Sequence, residues 1–234
     1  MLVSCNFTGR FFLLSGLICL FSFVCSTSVL AKEPAAGKEK QADCEKWISL
    51  FDGKTLNGWK KTNFGTEADV IVEDNILIIE MGAPLTGVNM TDKAFKPLPK
   101  INYEMKLKAK RQVGGDFFVA LTFPINDDFC SLVLGGWGGS VVGLSCLDGY
   151  DASENETTDY FPFKNGVWYD IRLVVTKDKI EAWLDKERII KVDISDKKLS
   201  TRIEVELSHP IGLATFQTTA HICDFKMRPL PEKK

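Results

Sequence analysis

Ile101-Asn102-Tyr103-Glu104-Met105-Lys106-Leu107-Lys108-Ala109-Lys110 decides the fold class. Every odd position is apolar and every even one polar. Side chains alternate across a strand, so this pattern predicts a strand with one buried and one solvated face. Val167-Trp168-Tyr169-Asp170-Ile171-Arg172-Leu173-Val174-Val175 repeats the pattern less cleanly. Further strands are predicted at Trp47–Phe51, Asp69–Glu73, Ile76–Met81, Phe117–Phe123, Leu132–Leu134, Ser140–Leu144, Ile180–Leu184, Arg188–Asp193, Ile203–Leu207, Gly212–Phe216 and Ile222–Arg228. Asp74-Asn75, Lys177-Asp178 and Asp185-Lys186 supply tight-turn chemistry between neighbouring runs. No amphipathic helix exceeds about two turns, and no fixed-period repeat suggests a propeller or solenoid. The expected fold is all-β: a two-sheet antiparallel β-sandwich of the jelly-roll kind.

The N-terminus bears on the compartment. Arg10 precedes an apolar run from Phe11 to Cys25, and small residues end at Val29-Leu30-Ala31. A basic start, an apolar centre and a small residue at the cut site make residues 1–31 a secretory signal by expectation. The run is shorter than the roughly 20 residues needed to span a bilayer, so no stable membrane span is expected after cleavage. Cys25 follows Phe23-Val24 rather than a small residue, against acylation there. Residues 32–46, charged and containing Pro and Gly, read as a linker, and residues 47–230 as the domain. The expected location is secreted or periplasmic. The mature chain carries 28 basic and 31 acidic residues, a net charge of −3, because the signal removes one Arg of 29 and no acid. That balance argues against a nucleic-acid partner.

Cys44, Cys130, Cys146 and Cys223 remain after the signal, and an even number in an exported chain invites disulfides. Cys130 to Cys146 reads as two strands about a glycine turn centred on Gly138, a register that sets the two cysteines opposite one another. A bond there and two buried thiols are both open, as is Cys44 with Cys223. No C-x-x-C spacing occurs and only two histidines are present, so no zinc site is expected.

Three segments depart from plain scaffold. Gly135-Gly136-Trp137-Gly138-Gly139 frees the backbone to turn and leaves the indole little covered, as either a stacking platform for a sugar or a ring folded back on the sheet. Asp148 to Asp159 holds five carboxylates in twelve residues. A solvated acidic loop, a sugar or catalytic site, and a calcium site at Asp151-x-Ser153-x-Asn155 are its three readings. Arg202, Glu204 and Glu206 are expected on one face of a strand, with Ile203, Val205 and Leu207 on the other. His209, at its end, is a proton-transfer candidate. The catalytic candidates are therefore Asp151, Glu154, Glu156 and His209. The candidate sugar contacts are Trp137, Asp148, Asn155, Arg202, Glu204 and Gln217. No cofactor is required by the sequence, calcium being the one open possibility, and the expected partner is a carbohydrate ligand. No serine-hydrolase elbow, zincin motif, phosphate loop or dinucleotide fingerprint occurs.

Trp47-Ile-Ser-Leu-Phe-Asp52-Gly53-Lys54-Thr-Leu56-Asn-Gly58-Trp59 resembles the opening of the 3-keto-disaccharide hydrolase domain family. The resemblance continues at Val72–Leu77, Asn102–Leu107, Asn165–Arg172, Ala182–Asp185 and Gly212–Gln217, covering roughly 47–230. It implies a concanavalin-like jelly roll, export, and activity on 3-keto-glycosides. A 3-keto group acidifies the neighbouring C–H, so such a sugar can be cleaved by proton abstraction and elimination, then hydration. That chemistry needs a general base and a group that polarises the ketone. The family's middle strand carries an acidic residue and a glutamine at alternating positions, where this chain has Cys130-Ser131-Leu132-Val133-Leu134. The ligand is expected on the concave face and the loops above it, and carbohydrate binding or cell-surface adhesion without catalysis is the alternative function, since a fold does not fix a reaction.

Overall fold

The structure, a computed structural model, describes residues 46–231. The expected signal, Cys44 and all but the last residue of the expected linker lie outside that range. Among the described residues fifteen strands run in chain order: β1 (Ile48–Ser49), β2 (Trp59–Lys61), β3 (Val70–Glu73), β4 (Ile76–Ile79), β5 (Leu85–Met90), β6 (Tyr103–Gly114), β7 (Val119–Ile125) and β8 (Asp128–Gly135). They continue with β9 (Val141–Ser145), β10 (Asp159–Tyr160), β11 (Trp168–Val175), β12 (Lys179–Leu184), β13 (Glu187–Asp193), β14 (Gly212–Phe216) and β15 (Thr218–Pro229). They form two antiparallel sheets. The eight-stranded one is ordered β13-β12-β11-β6-β15-β4-β3 with β1 added on β15, and the seven-stranded one β10-β9-β8-β7-β14-β5-β2. This is the two-sheet sandwich that the alternating sequence requires.

β6 shows how the pattern works. Tyr103, Met105, Leu107 and Ala109 are buried in the core with Leu121, Phe123, Leu132, Leu144 and Leu213 of the opposite sheet. The Tyr103 hydroxyl donates to the Pro124 carbonyl at 2.6 Å, joining β6 to β7. The polar face has one exception: Glu104 is buried, its carboxylate bound by Arg172 (2.5 Å) and Arg228 (2.5 and 2.8 Å) from the two flanking strands. Arg111, next in the odd series, is a charged residue on the buried face.

Several features differ from expectation: β2, β5 and β10 have no counterpart among the predicted strands, and one predicted strand is a helix. β5 is unforeseen because all its residues are buried, so it has no alternation. It also contains Gly87, where a Cβ would lie 2.5 Å from the Leu213 carbonyl oxygen. The expected strand at Ile203–Leu207 is instead a 3₁₀ helix, Ile203–Ser208. Its period of three puts Val205 and Ser208 on the buried side and leaves Ile203 82% exposed. Arg202, Glu204 and Glu206 therefore do not share a strand face.

The β8–β9 hairpin has the expected register, with Ser131 opposite Ser145 and Leu132 opposite Leu144. Cys146 lies one residue beyond β9 and bonds through its backbone to Ser200 (N–H to carbonyl, 2.5 Å). Cys130, Cys146 and Cys223 are free thiols, so no Cys130–Cys146 bond is formed.

Candidate functional site

Along the outward face of the seven-stranded sheet the side chains are small: Gly87, Ala214, Ala120, Val133 and Gly143 in one row, Gly212, Thr122, Ser131 and Ser145 in the next. Small residues let other segments lie directly on this sheet. Val205 of the 3₁₀ helix packs on Ala120 and Ala214. A Cβ at Gly212 would stand 2.3 Å from the Ser208 carbonyl oxygen, and one at Gly143 2.6 Å from that of Ala152.

Between these covering segments remains a cavity of about 310 Å³. Its floor is Ala120, Ser131, Val133 and Ser145, and its apolar walls are Leu85, Phe117, Phe216 and Val205. Trp137, Asp116, Arg202 and Glu204 supply the rest of its lining. This volume is at the small end of ligand pockets, roughly 300–1,000 Å³, and suits one ring rather than a chain.

Trp137 sits in the β8–β9 turn at φ 48°, 43% exposed. The turn is held on both sides. Asp116 Oδ2 accepts from the Gly138 N–H at 3.0 Å, while Arg111 Nη1 donates to the Gly139 carbonyl at 3.1 Å. Arg111 also donates to the Phe163 carbonyl (2.7 Å) and to Asn165 Oδ1 (2.6 Å). Burial lowers its pKa, while nearby Asp116 favours the cation.

Arg202, just ahead of the 3₁₀ helix, stands 5.8 Å from the centre of the Trp137 ring. Its Nε and Nη2 hold Glu204 in a fork at 3.2 and 2.8 Å, and its Nη1 bonds Asp151. The fork raises the pKa of Arg202 and lowers that of Glu204. Arg202 thus bridges the acidic loop to the pocket.

The sequence candidates separate accordingly. Trp137, Arg202 and Glu204 line the cavity, and Asp151 reaches it through Arg202. Asp148, Glu154, Asn155, Glu156, His209 and Gln217 do not line it. Asp148 accepts from the Lys198 N–H at 2.8 Å, which lowers its pKa, and with Glu156 it pairs with Lys197 (3.3 and 2.6 Å). Glu154 is exposed. Asn155 holds the acidic loop: its amide donates to the carbonyls of Leu144, Tyr150 and Asp151, and its oxygen accepts from Thr157. The Asp151-x-Ser153-x-Asn155 alternation is thus spent on turns, Asp151 Oδ1 accepting from Ser153 at 2.9 and 2.7 Å. Among the described residues no three His, Cys, Asp or Glu side chains converge as a metal site.

His209 stacks on Phe129, ring centres 4.0 Å apart, with Nε2 3.0 Å from the Thr201 hydroxyl, and burial lowers its pKa. Gln217 is exposed at the β14–β15 turn, its N–H bonded to the Pro84 carbonyl at 2.8 Å. The pocket residues missed by the sequence reading include Asp116, Phe117, Ser131, Ser145, Val205 and Phe216, with Arg111 behind them. The hydroxyls at alternate positions of otherwise apolar strands, Ser131 and Ser145, were the available signal.

The chain is thus a two-sheet jelly-roll sandwich with a small cavity on the outward face of its seven-stranded sheet. Residues 46–228 match the 3-keto-alpha-glucoside-1,2-lyase-like domain family, and the chain belongs to that family. No curated protein matches the sequence. Among solved structures, the VIP36 exoplasmic/lumenal domain, bound to Ca²⁺ and Man3GlcNAc, is similar at TM-score 0.53 and 11% identity, over 80% of this chain and 90% of that one. The apo Crh5 transglycosylase is similar at TM-score 0.51 and 8% identity, over 80% and 84%. A protein of Parabacteroides distasonis described as a glycosyl hydrolase aligns at TM-score 0.49 and 14% identity, over 79% and 94%. The likenesses to the VIP36 domain and to the Crh5 transglycosylase bear on the fold alone.

Proposed function

We propose that this chain is an exported carbohydrate-active domain that seats one glycosyl unit in the pocket beside Trp137 and cleaves it as a 3-keto-glycoside lyase or hydrolase. The observation that carries the reading is the placement of a half-exposed indole, a guanidinium and two carboxylates around one ring-sized apolar cavity. The apolar face of a sugar would stack on Trp137. Asp116 would take the proton next to the ketone. Arg202, which keeps one unengaged N–H on each Nη, would stabilise the enolate oxygen. As the enolate collapses, a C1–C2 double bond forms and the C1–O bond breaks, the leaving oxygen taking back the proton held by Asp116; water then adds across that double bond to complete the hydrolysis. Export rests on residues 1–31, and a mature N-terminus at Lys32 by mass spectrometry would support it.

The test is a product assay on glycosides and their 3-keto derivatives, with and without a chelator. Release of free sugar or a glycal-type intermediate, reduced about 10²–10⁴-fold by Asp116→Asn with binding retained, supports cleavage. Unchanged turnover in Asp116→Asn removes that residue as the base.

A second reading, binding without catalysis, is favoured by one observation. Where the family resemblance implies an acidic residue and a glutamine, Ser131 and Val133 face the pocket. That reading predicts saturable binding abolished by Trp137→Ala and no product on prolonged incubation.

A further inference from the structure

We infer that the outward face of the eight-stranded sheet is a second binding surface, whose partner is a single strand of acidic polysaccharide bearing carboxylates or sulfates. The antiparallel register sets Arg172 of β11 and Lys226 of β15 directly opposite Lys106 of β6, one on either side. Like-charge repulsion disfavours such a row of three cations across three strands. Arg228, opposite Glu104, adds a fourth cation. Glu104 is bound by Arg172 and Arg228 and lies 3.4 Å from Lys106 Nζ. Among the described residues Lys226 pairs with no carboxylate, and its ammonium rests instead against Trp47. Four cations around the single carboxylate of Glu104 leave a local charge of +3.

The cations are held in place and keep donors to spare. Arg172 lies over the Trp183 ring, 4.0 Å from its centre, and spends only Nε on Glu104. Among the described residues both its Nη groups lack a hydrogen-bond partner, as does Nη1 of Arg228. Lys106, Lys226 and Arg228 stand 5.0, 5.3 and 4.8 Å from the centre of the Trp47 ring. Stacking on an indole limits the motion of a long side chain, which lowers the ordering cost of binding. Guanidinium edges and ammonium groups in a row match carboxylates or sulfates repeated along a chain. The row spans about 10 Å, two interstrand steps of about 4.8 Å.

The width of the row decides the kind of polyanion. A hollow of about 290 Å³ there is lined by Arg172, Lys106 and Lys226 and also by Asp170, Asp185 and Asp224. A flat anionic membrane would press on those three carboxylates. A narrow strand can follow the cations instead, and sugar hydroxyls can donate to the same carboxylates. Single-stranded nucleic acid needs open aromatic faces for its bases, whereas Trp47 and Trp183 carry cations on theirs. The surface belongs to the other sheet from the Trp137 pocket, so a strand held here leaves that pocket free.

The experiment is calorimetric titration of the protein at low salt with polygalacturonate and with dextran sulfate, neutral dextran serving as control. The expected result is binding of both polyanions, none of dextran, and an affinity that falls as salt rises. Lys106→Gln combined with Lys226→Gln should weaken that binding about tenfold, and Lys226→Gln alone about threefold. The single variant removes a side chain that holds no carboxylate, so it carries the test even if the double variant unfolds. Trp137→Ala should leave the binding unchanged. No binding of either polyanion, binding untouched by the lysine variants, or binding lost in Trp137→Ala would overturn the inference. Equal affinity for vesicles of equal parts phosphatidylglycerol and phosphatidylcholine, or for oligothymidylate, would overturn it too, in favour of a membrane or a nucleic acid. Product release from the pocket is measured separately, so either reading can fail alone.

Discussion

The guanidinium of Arg111 donates to the Gly139 carbonyl, 3.1 Å away, and so fixes from the interior the turn that presents Trp137. Asp116 holds the same turn through the Gly138 N–H, one residue from the indole. The indole's position is therefore set by the protein alone, which under the proposed function would spare binding the cost of ordering it.

Arg111→Lys should break this arrangement. A lysine ammonium radiates its donors from one point and cannot reach three acceptors fixed by a planar fork. Leaving buried carbonyls unpaired costs about 2–4 kcal/mol here, since each unsatisfied group costs about 1–3 kcal/mol. Denaturant unfolding should report that loss, and titration with a bound sugar a weaker Trp137-dependent affinity. A variant with native stability would remove Arg111 from this role.

Glu104 gives a pH signature. Burial alone would raise its pKa, but the hydrogen bonds and charges of Arg172 and Arg228 outweigh it and hold the carboxyl below its usual range. A depressed carboxylate pKa contributes stability above the unfolded value, about 4.3, that is lost as pH falls through the folded one. Glu104→Gln should cost about 2 kcal/mol at pH 7, below the 3–5 typical of a buried pair because its cations are partly exposed. The difference from wild type should close below about pH 4, read by urea unfolding across pH. A gap that widens on acidification would contradict the account.

Cys130 is fully buried and its pKa is pushed far up by desolvation. In the native protein it should resist alkylation at pH 8, while the half-buried Cys223 reacts first. Peptide mapping after alkylation with and without denaturant distinguishes them. A Cys130–Cys146 disulfide in those maps would replace the free thiols described above.

Gly212→Ala tests the cover on the sheet. Its Cβ would stand 2.3 Å from the Ser208 carbonyl oxygen, a backbone atom that cannot give way without moving the 3₁₀ helix. Overpacking of this kind costs typically 1–3 kcal/mol. Because Arg202 and Val205 travel with that helix, sugar affinity should fall together with Tm. Lower Tm with native affinity would separate the helix from the pocket.

Period-two alternation made β6, β11 and β12 legible, since each has one face more deeply buried than the other in step with its sequence. β5 escaped because burial on both faces erases alternation. Ile203-Glu-Val-Glu-Leu207 misled because its alternation is not used: Ile203 and Leu207 are exposed, and only Val205 meets the sheet. The site was half legible. Trp137, Asp151, Arg202 and Glu204 come from three separate segments, and it is strand order that brings those segments onto one face. Arg111 carried a signal that went unread: it continues the odd series of β6, so the alternation itself turns a charged side chain inward.

The rows of Gly, Ala and Ser on the seven-stranded sheet have a consequence for how the molecule can change. The foundation contributes almost no relief of its own, so the shape of the cavity is written by the segments lying over it. Exchanging those covers can alter substrate scope while the strands, their pairing and the core beneath stay the same.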